Sequence, residues 1–500
     1  MDTNKNTIIE TLLNGECVTL ECKRAKSEVP KSVWETYSAF ANTIGGVILL
    51  GIEENRKESD KKKRFQIIGV DDAQKIVNDF WNTINSDKVN ENILASSNVE
   101  TVEINGVQIV CIHVPQADWR IKPIYLNGNV YKGTYRRNHE GDYHCTERQV
   151  RAMLRDSFED GNDGMLLEHY DMNDIDLDTL HRYRTLFQFR NDGHVWNEAD
   201  DKTFLKNLGG YIIDRATGKE GLTMAGLMMF GKGLSVQERF ANFRMDYLDF
   251  CNLIGDERYS DRLTYDGRWE NNLYQFFSRV IPKVTADLPR PFHMEGIQRV
   301  DDTPQHKAVR EAFTNAIIHS DLLMDAGILR VEKHDDRLCF RNPGLLKLPV
   351  EMIYEGGNSK ARNPRIQNML RMVGYGENVG SGFPTIISAW KEAHWGEPEL
   401  KNKFEIDEVE LVLPIPVRGA NNRVNDSRND RVNDSRNDRI NSSMMVTLTI
   451  VRSNPGIQRK GISNISGKSI STIDRHLAIL VKEGLIEHRD SDKTGGYYAK

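Results

Sequence analysis

The chain has 500 residues, a formal net charge of −6, 39% hydrophobic and 28% charged residues, which predicts about three or four domains of an ordinary soluble protein and excludes a uniformly basic nucleic-acid coat. No apolar run approaches the roughly 18 residues that span a bilayer, and Met1-Asp-Thr-Asn-Lys5 lacks the basic and apolar regions of a secretory signal, so no membrane association and a cytoplasmic location are expected. The cysteines at 17, 22, 111, 145, 251 and 339 form no CxxC pair, which favours free thiols over a disulfide framework or a zinc site.

Near the N-terminus, Glu16, Glu21 and Lys23 precede a helical stretch that ends at Gly45-Gly46, where glycine supplies the backbone freedom of a helix C-terminus. Val47 to Ile52 is a short apolar run, the pattern of a strand covered on both faces. Glu53 and Glu54 emerge where it ends. Carboxylates grouped around one lysine can hold Mg²⁺ or Mn²⁺ and position water for phosphodiester attack, the lysine stabilising the phosphorane charge. Glu16, Glu21, Lys23, Glu53 and Glu54 are therefore candidate catalytic residues, with Glu16, Glu21 and Glu53 as metal ligands; the competing reading pairs Glu21 with Lys23 at a strand end. Residues 100–104, 108–115, 124–126 and 130–132 read as strands, with hairpin turns at Asn105-Gly106 and Asn127-Gly128. Tyr135–Asn138 is expected to close the sheet, and Thr146 to Leu154 to form the next helix. Lys132, Arg136 and Arg137 are candidate phosphate contacts, or charges carried for solubility.

This order of glutamate, glutamate, lysine, helix, Gly-Gly, strand and acidic pair resembles the Schlafen AlbA-type domain over about the first 155 residues. The resemblance implies nucleic-acid binding, to DNA or RNA, and in some members RNA cleavage. Glu16, Glu21 and Lys23 match the family's two glutamates and lysine. Its aspartate falls on Glu53 or Glu54, one methylene longer.

Residues 156–300 read as a mixed connecting module; Leu222 to Lys232 looks like a helix starting at a Thr cap and stopping at glycine. From His306 to Asp321 the chain is amphipathic at helical period, which puts Glu311 and Asn315 on one face. A hairpin, Ile328 to Glu332 and Arg337 to Phe340, leads into Arg341-Asn-Pro-Gly344, and a glycine-rich stretch from Gly374 through Gly380-Ser-Gly382 opens onto a helix, a setting suited to phosphate. This succession resembles a divergent Bergerat, or GHKL, ATP-binding fold over residues 301–417. By that resemblance Asn315 holds Mg²⁺, Glu311 orients the attacking water, Gly344 lets adenine approach, and Gly380, Ser381 and Gly382 hold phosphates. His319 and Lys360 would stand behind them. The adenine-recognising aspartate of the family falls on Asn342 and its second glycine on Leu346, so ATP binding is expected ahead of hydrolysis.

Arg423-Val-Asn-Asp-Ser-Arg-Asn-Asp430 repeats at residues 431–438, a polar segment (418–443) that reads as a solvated linker. Residues 421–500 hold 14 Lys/Arg against 9 Asp/Glu, a local charge that attracts phosphate. From 444 to 500 two short helices, a longer helix over 469–483 and a hairpin resemble a winged helix-turn-helix. Ser469, Ser471, Thr472, Arg475 and His476 are expected to face the major groove of duplex DNA, with Arg489 and Lys493 on the wing and Ile473, Leu477 and Leu480 facing inward. The whole is expected to be an α+β multidomain protein: a Schlafen-like α+β domain (1–155), the connecting module, a Bergerat-like α/β sandwich and a C-terminal winged helix. Its function would be that of an ATP- and DNA-binding transcriptional regulator, suited to a homo-oligomer on symmetrical half-sites. The alternatives are a metal-dependent RNA or DNA endonuclease acting against phage, and a scaffold whose domains all bind protein.

Overall fold

The computed structural model describes residues 17–55, 58, 64–158, 161–253, 256–289, 294–295, 298–299, 302–376, 382–416, 447–448, 450–452, 454–466, 470–482, 484–489 and 496–499. The chain divides into two compact units, residues 1–421 and 422–500. It is an α+β protein of several small sheets and many helices. No helix among the described residues is long and apolar enough to cross a membrane, and the six cysteines are free.

The first unit opens with β1 (Leu20–Lys23), the helix Ser32–Asn42 and β2 (Gly46–Leu50), followed by β3 (Ile52–Glu54), β4 (Phe65–Ile67), the helix Ala73–Ile84, β5 (Val99–Ile104) and β6 (Val107–Val114). Four of these strands form a sheet in the order β1-β2-β6-β5, with β1 parallel to β2 and the other pairs antiparallel. The glycine pair makes the sharp entry into β2. Gly45 has φ +77°, and its N–H closes the helix on the Phe40 carbonyl. A Cβ on Gly46 would stand 2.7 Å from the Phe40 ring and 2.8 Å from the Thr19 carbonyl oxygen. Ile48 and Leu50 then enter a core with Phe40, Ile76 and Phe80, while Val47 and Leu49 enter a second one with Leu20, Ile104 and Ile109. One short apolar strand thus feeds two cores, as its continuous hydrophobic run predicts.

The Asn105-Gly106 turn is present, both residues at positive φ, and joins β5 to β6 as expected. Asn127 and Gly128 also turn at positive φ, but residues 124–126 and 130–132 are not strands, contrary to the sequence expectation. At Ile124 the main-chain bonds go to Asn42, whose side-chain amide accepts from the Ile124 N–H (2.8 Å) and donates to the carbonyls of Ile124 (2.8 Å) and Tyr135 (2.9 Å). A helix side chain takes the main-chain bonds that a ladder would need. β7 (Tyr135–Asn138) likewise does not close the sheet; it pairs with β8 (Gly141–His144) as a separate ribbon. The helix Glu147–Asp156 follows, with Thr146 and Gln149 forming a reciprocal cap.

Next come β9 (Tyr211–Ile213) and β10 (Glu220–Leu222), the helix Met224–Phe230 between its Thr223 cap and Gly231, β11 (Arg244–Asp249), β12 (Asp261–Leu263), the helix Leu273–Thr285, and a small ribbon of β13 (Met294–Glu295) and β14 (Gln298–Arg299). The helix Pro304–Ile318 is started by Thr303, whose hydroxyl accepts from the His306 N–H, and by proline in its first turn. β15 (Ile328–Lys333), β16 (Arg337–Pro343), β17 (Glu399–Lys403) and β18 (Glu408–Pro414) complete a six-stranded sheet in the order β12-β11-β15-β16-β18-β17. β11 and β12 come from the segment read as a connecting module, and one continuous core runs from Leu167 to Leu413.

Asp163 ties that segment to the later chain. Fully buried, it accepts from the Arg365 N–H (2.7 Å) and the Ile366 N–H (2.9 Å), capping the helix Pro364–Met372 from two hundred residues away. Burial pushes its carboxyl up to about 6, against the lowering pull of those N–H groups and Arg365. A carboxyl raised above its unfolded value contributes stability that is complete below about pH 4 and lost as pH rises through 6. We expect wild type to lose on the order of 3 kcal/mol relative to Asp163→Asn between pH 4 and 7. Denaturant midpoints of the two proteins across that range check this; parallel curves would refute it.

In the second unit, the helices Arg459–Ser466 and Ile470–Lys482 and the hairpin β19 (Ile486–Arg489) with β20 (Gly496–Ala499) enclose a core that includes Val451, Ile462, Ile473, Leu477 and Leu480. The three inward positions expected on the longer helix, Ile473, Leu477 and Leu480, are buried.

Candidate functional sites

The N-terminal acidic cluster is held by cations. Glu21 projects from β1 onto the side of the sheet under the Ser32–Asn42 helix, where its register neighbour is Ile48. Its carboxylate lies 2.6 Å from Lys23 Nζ and 2.8 Å from Arg137 Nη1. Arg137 is 1% exposed. It also reaches Asp142 (3.0 Å), donates to the carbonyls of Cys17 and Leu20, and lies over the Phe40 ring. Glu53 pairs with Arg24 (3.2 Å), and Glu54 with Arg64 (2.5 Å). Among the described residues the expected ligands Glu21 and Glu53, with Glu54 beside the latter, are not gathered about one point: each meets its own basic partner. Glu16 lies outside them. Arg137 is a buried brace rather than a phosphate contact, and Arg136 is tied to Asp407 (2.8 Å) and the Phe404 carbonyl.

Glu332, His334 and Cys339 form the single group of three potential metal ligands among the described residues. It lies on the hairpin of β15 and β16, and Glu332 is already engaged by Arg341 (3.2 Å) and Arg330 (3.8 Å), so two guanidiniums stand where a cation would have to enter.

The helix Pro304–Ile318 packs against the helix Gly382–Glu392 and the sheet beneath. Between them is a pocket of about 100 Å³ lined by Glu311, Asn315, His319, Asn342, Lys360 and Gly382, with apolar walls from Phe340, Leu346, Ile353 and Val409. Asn315 donates to Glu311 Oε1 at 3.2 Å, the i, i+4 pairing that the helix imposes. A Cβ on Gly382 would collide with Glu311 Oε1, so glycine lets the second helix begin here with the Glu311 carboxylate in its present place. Asn342, on β16, is 4% exposed, and its Nδ2 has no hydrogen-bond partner, an unspent donor on the pocket wall. Burial, then Arg362 and Lys347, pushes His319 down to about 4, leaving it neutral. The pocket therefore offers a carboxylate and an amide side by side, a glycine-lined helix start and an open amide on an apolar wall, which fits a nucleotide. Its volume is below the roughly 300–1,000 Å³ of a small-molecule site, room for part of such a ligand rather than all of it.

Gly344 does not line this pocket. Its φ of +92° packs it against Arg362 and Asp321, and it faces the neighbouring cleft; the strand has turned by then, so Asn342 and Gly344 separate. Gly380 and Ser381 lie outside the described residues. Sequence reading missed Lys347, Ser359 and Gln367 on the pocket wall. Asn358-Ser-Lys360 after two glycines was the one local signal available for that loop.

On the helix Ile470–Lys482, Arg475 is exposed and Thr472 half-buried. His476 was expected in the groove but is 1% exposed, with Nδ1 2.9 Å from the Thr447 hydroxyl; it follows Ile473 at the i+3 position, on the inward stripe. Arg489 on the wing pairs with Glu487 (2.6 Å) and lies over Tyr498. Ser469, Lys493, the side chain of Ser471 and the repeat at 423–438 lie outside the described residues.

Residues 16–146 match the family described as Schlafen, AlbA_2, residues 151–246 a domain of unknown function, DUF8451, and residues 328–413 the family described as putative ATP-dependent DNA helicase recG C-terminal. No curated protein matches the chain. Among solved structures, the DIP2311 protein from Corynebacterium diphtheriae is 14% identical, with 99% of each chain covered and a TM-score of 0.38. The N-terminal domain of a putative ATP-dependent DNA helicase RecG-related protein from Nitrosomonas europaea is 25% identical over 29% of this chain and 94% of that one, with a TM-score of 0.22. The chain thus carries a Schlafen AlbA_2 domain at its N-terminal end and, beyond it, a domain of the ATPase family named for the RecG C-terminal region.

Proposed function

We propose that this chain is a cytoplasmic, ATP-binding and DNA-binding transcriptional regulator, in which the winged helix contacts duplex DNA, the AlbA_2 domain adds a second nucleic-acid surface and nucleotide modulates the assembly. The carrying observation is the convergence of Glu311, Asn315 and Gly382 beside the open amide of Asn342. In this reading Asn315 holds Mg²⁺, Glu311 stands next to the phosphates, Gly382 leaves room for them, and Asn342 takes the edge of the base. On the longer C-terminal helix, Arg475 is an exposed cation for phosphate or base.

The test uses the full chain. Calorimetric titration with ATP and Mg²⁺ should show binding that Asn315→Ala weakens about tenfold or more. Labelled duplex DNA should shift without being cut, with Arg475→Ala lowering affinity and the salt slope by about one. Absence of nucleotide binding sinks the regulator reading. Cleavage of RNA or DNA with Mn²⁺, lost in Glu21→Gln, would replace it with the nuclease.

A further inference from the structure

A second cavity of about 430 Å³ lies between the AlbA_2 domain and the ATPase-like sheet, within the size range of a small-molecule site. Its charged groups are unevenly satisfied. The carboxylates on its wall have cationic partners: Glu147 holds Arg151, Asp156 holds Arg362, Asp321 holds Arg155, and Asp407 holds Arg136 with Arg148 nearby. Asp325 accepts from the Asn242 amide at 2.6 Å. Two lysines on the same wall meet main-chain oxygens instead. Lys122 donates to the Asn42 carbonyl at 3.2 Å, and Lys347, 8% exposed, to the Asp156 carbonyl at 2.9 Å. Lys347 also lies 4.5 Å from the centre of the Trp119 ring.

An ammonium taken from water without a carboxylate pays a desolvation cost that a main-chain oxygen repays only in part. Burial accordingly pushes both lysines down to about 8, against the raising pull of Asp156. The AlbA_2 domain supplies one, the loop after Gly344 the other, so the pair exists only where the two domains meet.

We infer that this interdomain cavity is a binding site for a phosphorylated small molecule, with Lys122 and Lys347 as the groups that take its phosphate. Arg148, 52% exposed, is placed to follow the ligand from solvent. Because Lys347 also lines the pocket at Glu311 and Asn315, a phosphate held here sits one side chain from that pocket. The site does not depend on nucleotide binding there.

Calorimetric titration of the full chain with inorganic pyrophosphate, then with AMP, tests this. Wild type should bind at least one of them. Lys122→Met should weaken binding about tenfold or more, the worth of one charge-assisted hydrogen bond, Lys122→Arg should retain it, and Asn315→Ala should leave it unchanged. If Lys122→Met does not fold, Arg148→Glu, at an exposed position, should weaken the same titration. No binding by wild type, binding indifferent to Lys122 and Arg148, or binding lost in Asn315→Ala would each overturn the assignment.

Discussion

Replacing Arg362 with methionine should destabilise the larger unit by about 3 kcal/mol or more, the usual consequence of removing one partner of a buried ion pair. Arg362 is 3% exposed. Its Nε and Nη2 meet both oxygens of Asp156 at 2.7 and 2.6 Å, Nη2 also reaches the Leu345 carbonyl at 2.9 Å, and Nη1 donates to the His319 carbonyl. One guanidinium thus joins the last turn of the Glu147–Asp156 helix, the end of the Pro304–Ile318 helix and the loop after β16. Methionine fills similar volume but leaves Asp156 and two carbonyls without their donor. The acid limb gives the sign. Burial pushes the Asp156 carboxyl up, and Arg362 more than reverses this, leaving it below its ordinary value. Such a carboxylate contributes stability that is present above the unfolded value near 4 and lost as pH falls through the folded one. The wild-type advantage over Arg362→Met should therefore be full at pH 7 and shrink below pH 4, as read from urea midpoints. A variant that keeps its midpoint at pH 7 would show that Asp156 is adequately served by Lys347 and Arg155. Adding Asp156→Asn to Arg362→Met should recover part of the loss, because the stranded charge is gone.

The elements legible in the sequence are those whose signal is local. Gly45-Gly46, Asn105-Gly106, the Thr223 cap and the Glu311–Asn315 spacing each encode a backbone conformation or a helical face within a few residues, and the structure shows each of them. What sequence reading missed depends on partners far along the chain. Asn42 replaces a strand ladder at Ile124, Asp163 caps a helix at Arg365, and Asp156 meets Arg362 across 206 positions; no periodicity announces such pairs. The acidic cluster was read without its arginines, of which Arg137 is the most distant in sequence. Glu21, Glu53 and Glu54 look like a metal site when counted along the chain, yet Glu21 is met by Lys23 and by the distant Arg137, Glu53 by Arg24 and Glu54 by Arg64. His476 was misplaced because a polar residue was assigned outward by its type rather than by its position on the helix.

Arg137→Met should have the other large effect, about 3–5 kcal/mol, and it bears directly on what the acidic cluster does. Arg137 is nearly inaccessible, holds Glu21 and Asp142 together, and satisfies the carbonyls of Cys17 and Leu20 where β1 begins. Asp142 in turn accepts from the Thr36 hydroxyl at 2.6 Å, so the arginine links β1, the ribbon of β7 and β8, and the Ser32–Asn42 helix. With methionine there, Glu21 keeps only Lys23, and Asp142 only its hydroxyl donor. Denaturant unfolding of Arg137→Met and of Arg137→Met/Glu21→Gln separates two accounts of Glu21. If its carboxylate serves the fold, the single variant loses several kcal/mol and the double variant recovers some of it, with Mn²⁺ changing neither midpoint. If the carboxylate is a metal ligand that Arg137 merely neutralises, adding Glu21→Gln should recover nothing and Mn²⁺ should raise the midpoint of the single variant, as any ligand that binds only the folded state confers. That second outcome would return the N-terminal domain to the nucleases. The first would leave the fold as Glu21's occupation and nucleic-acid contact as the domain's.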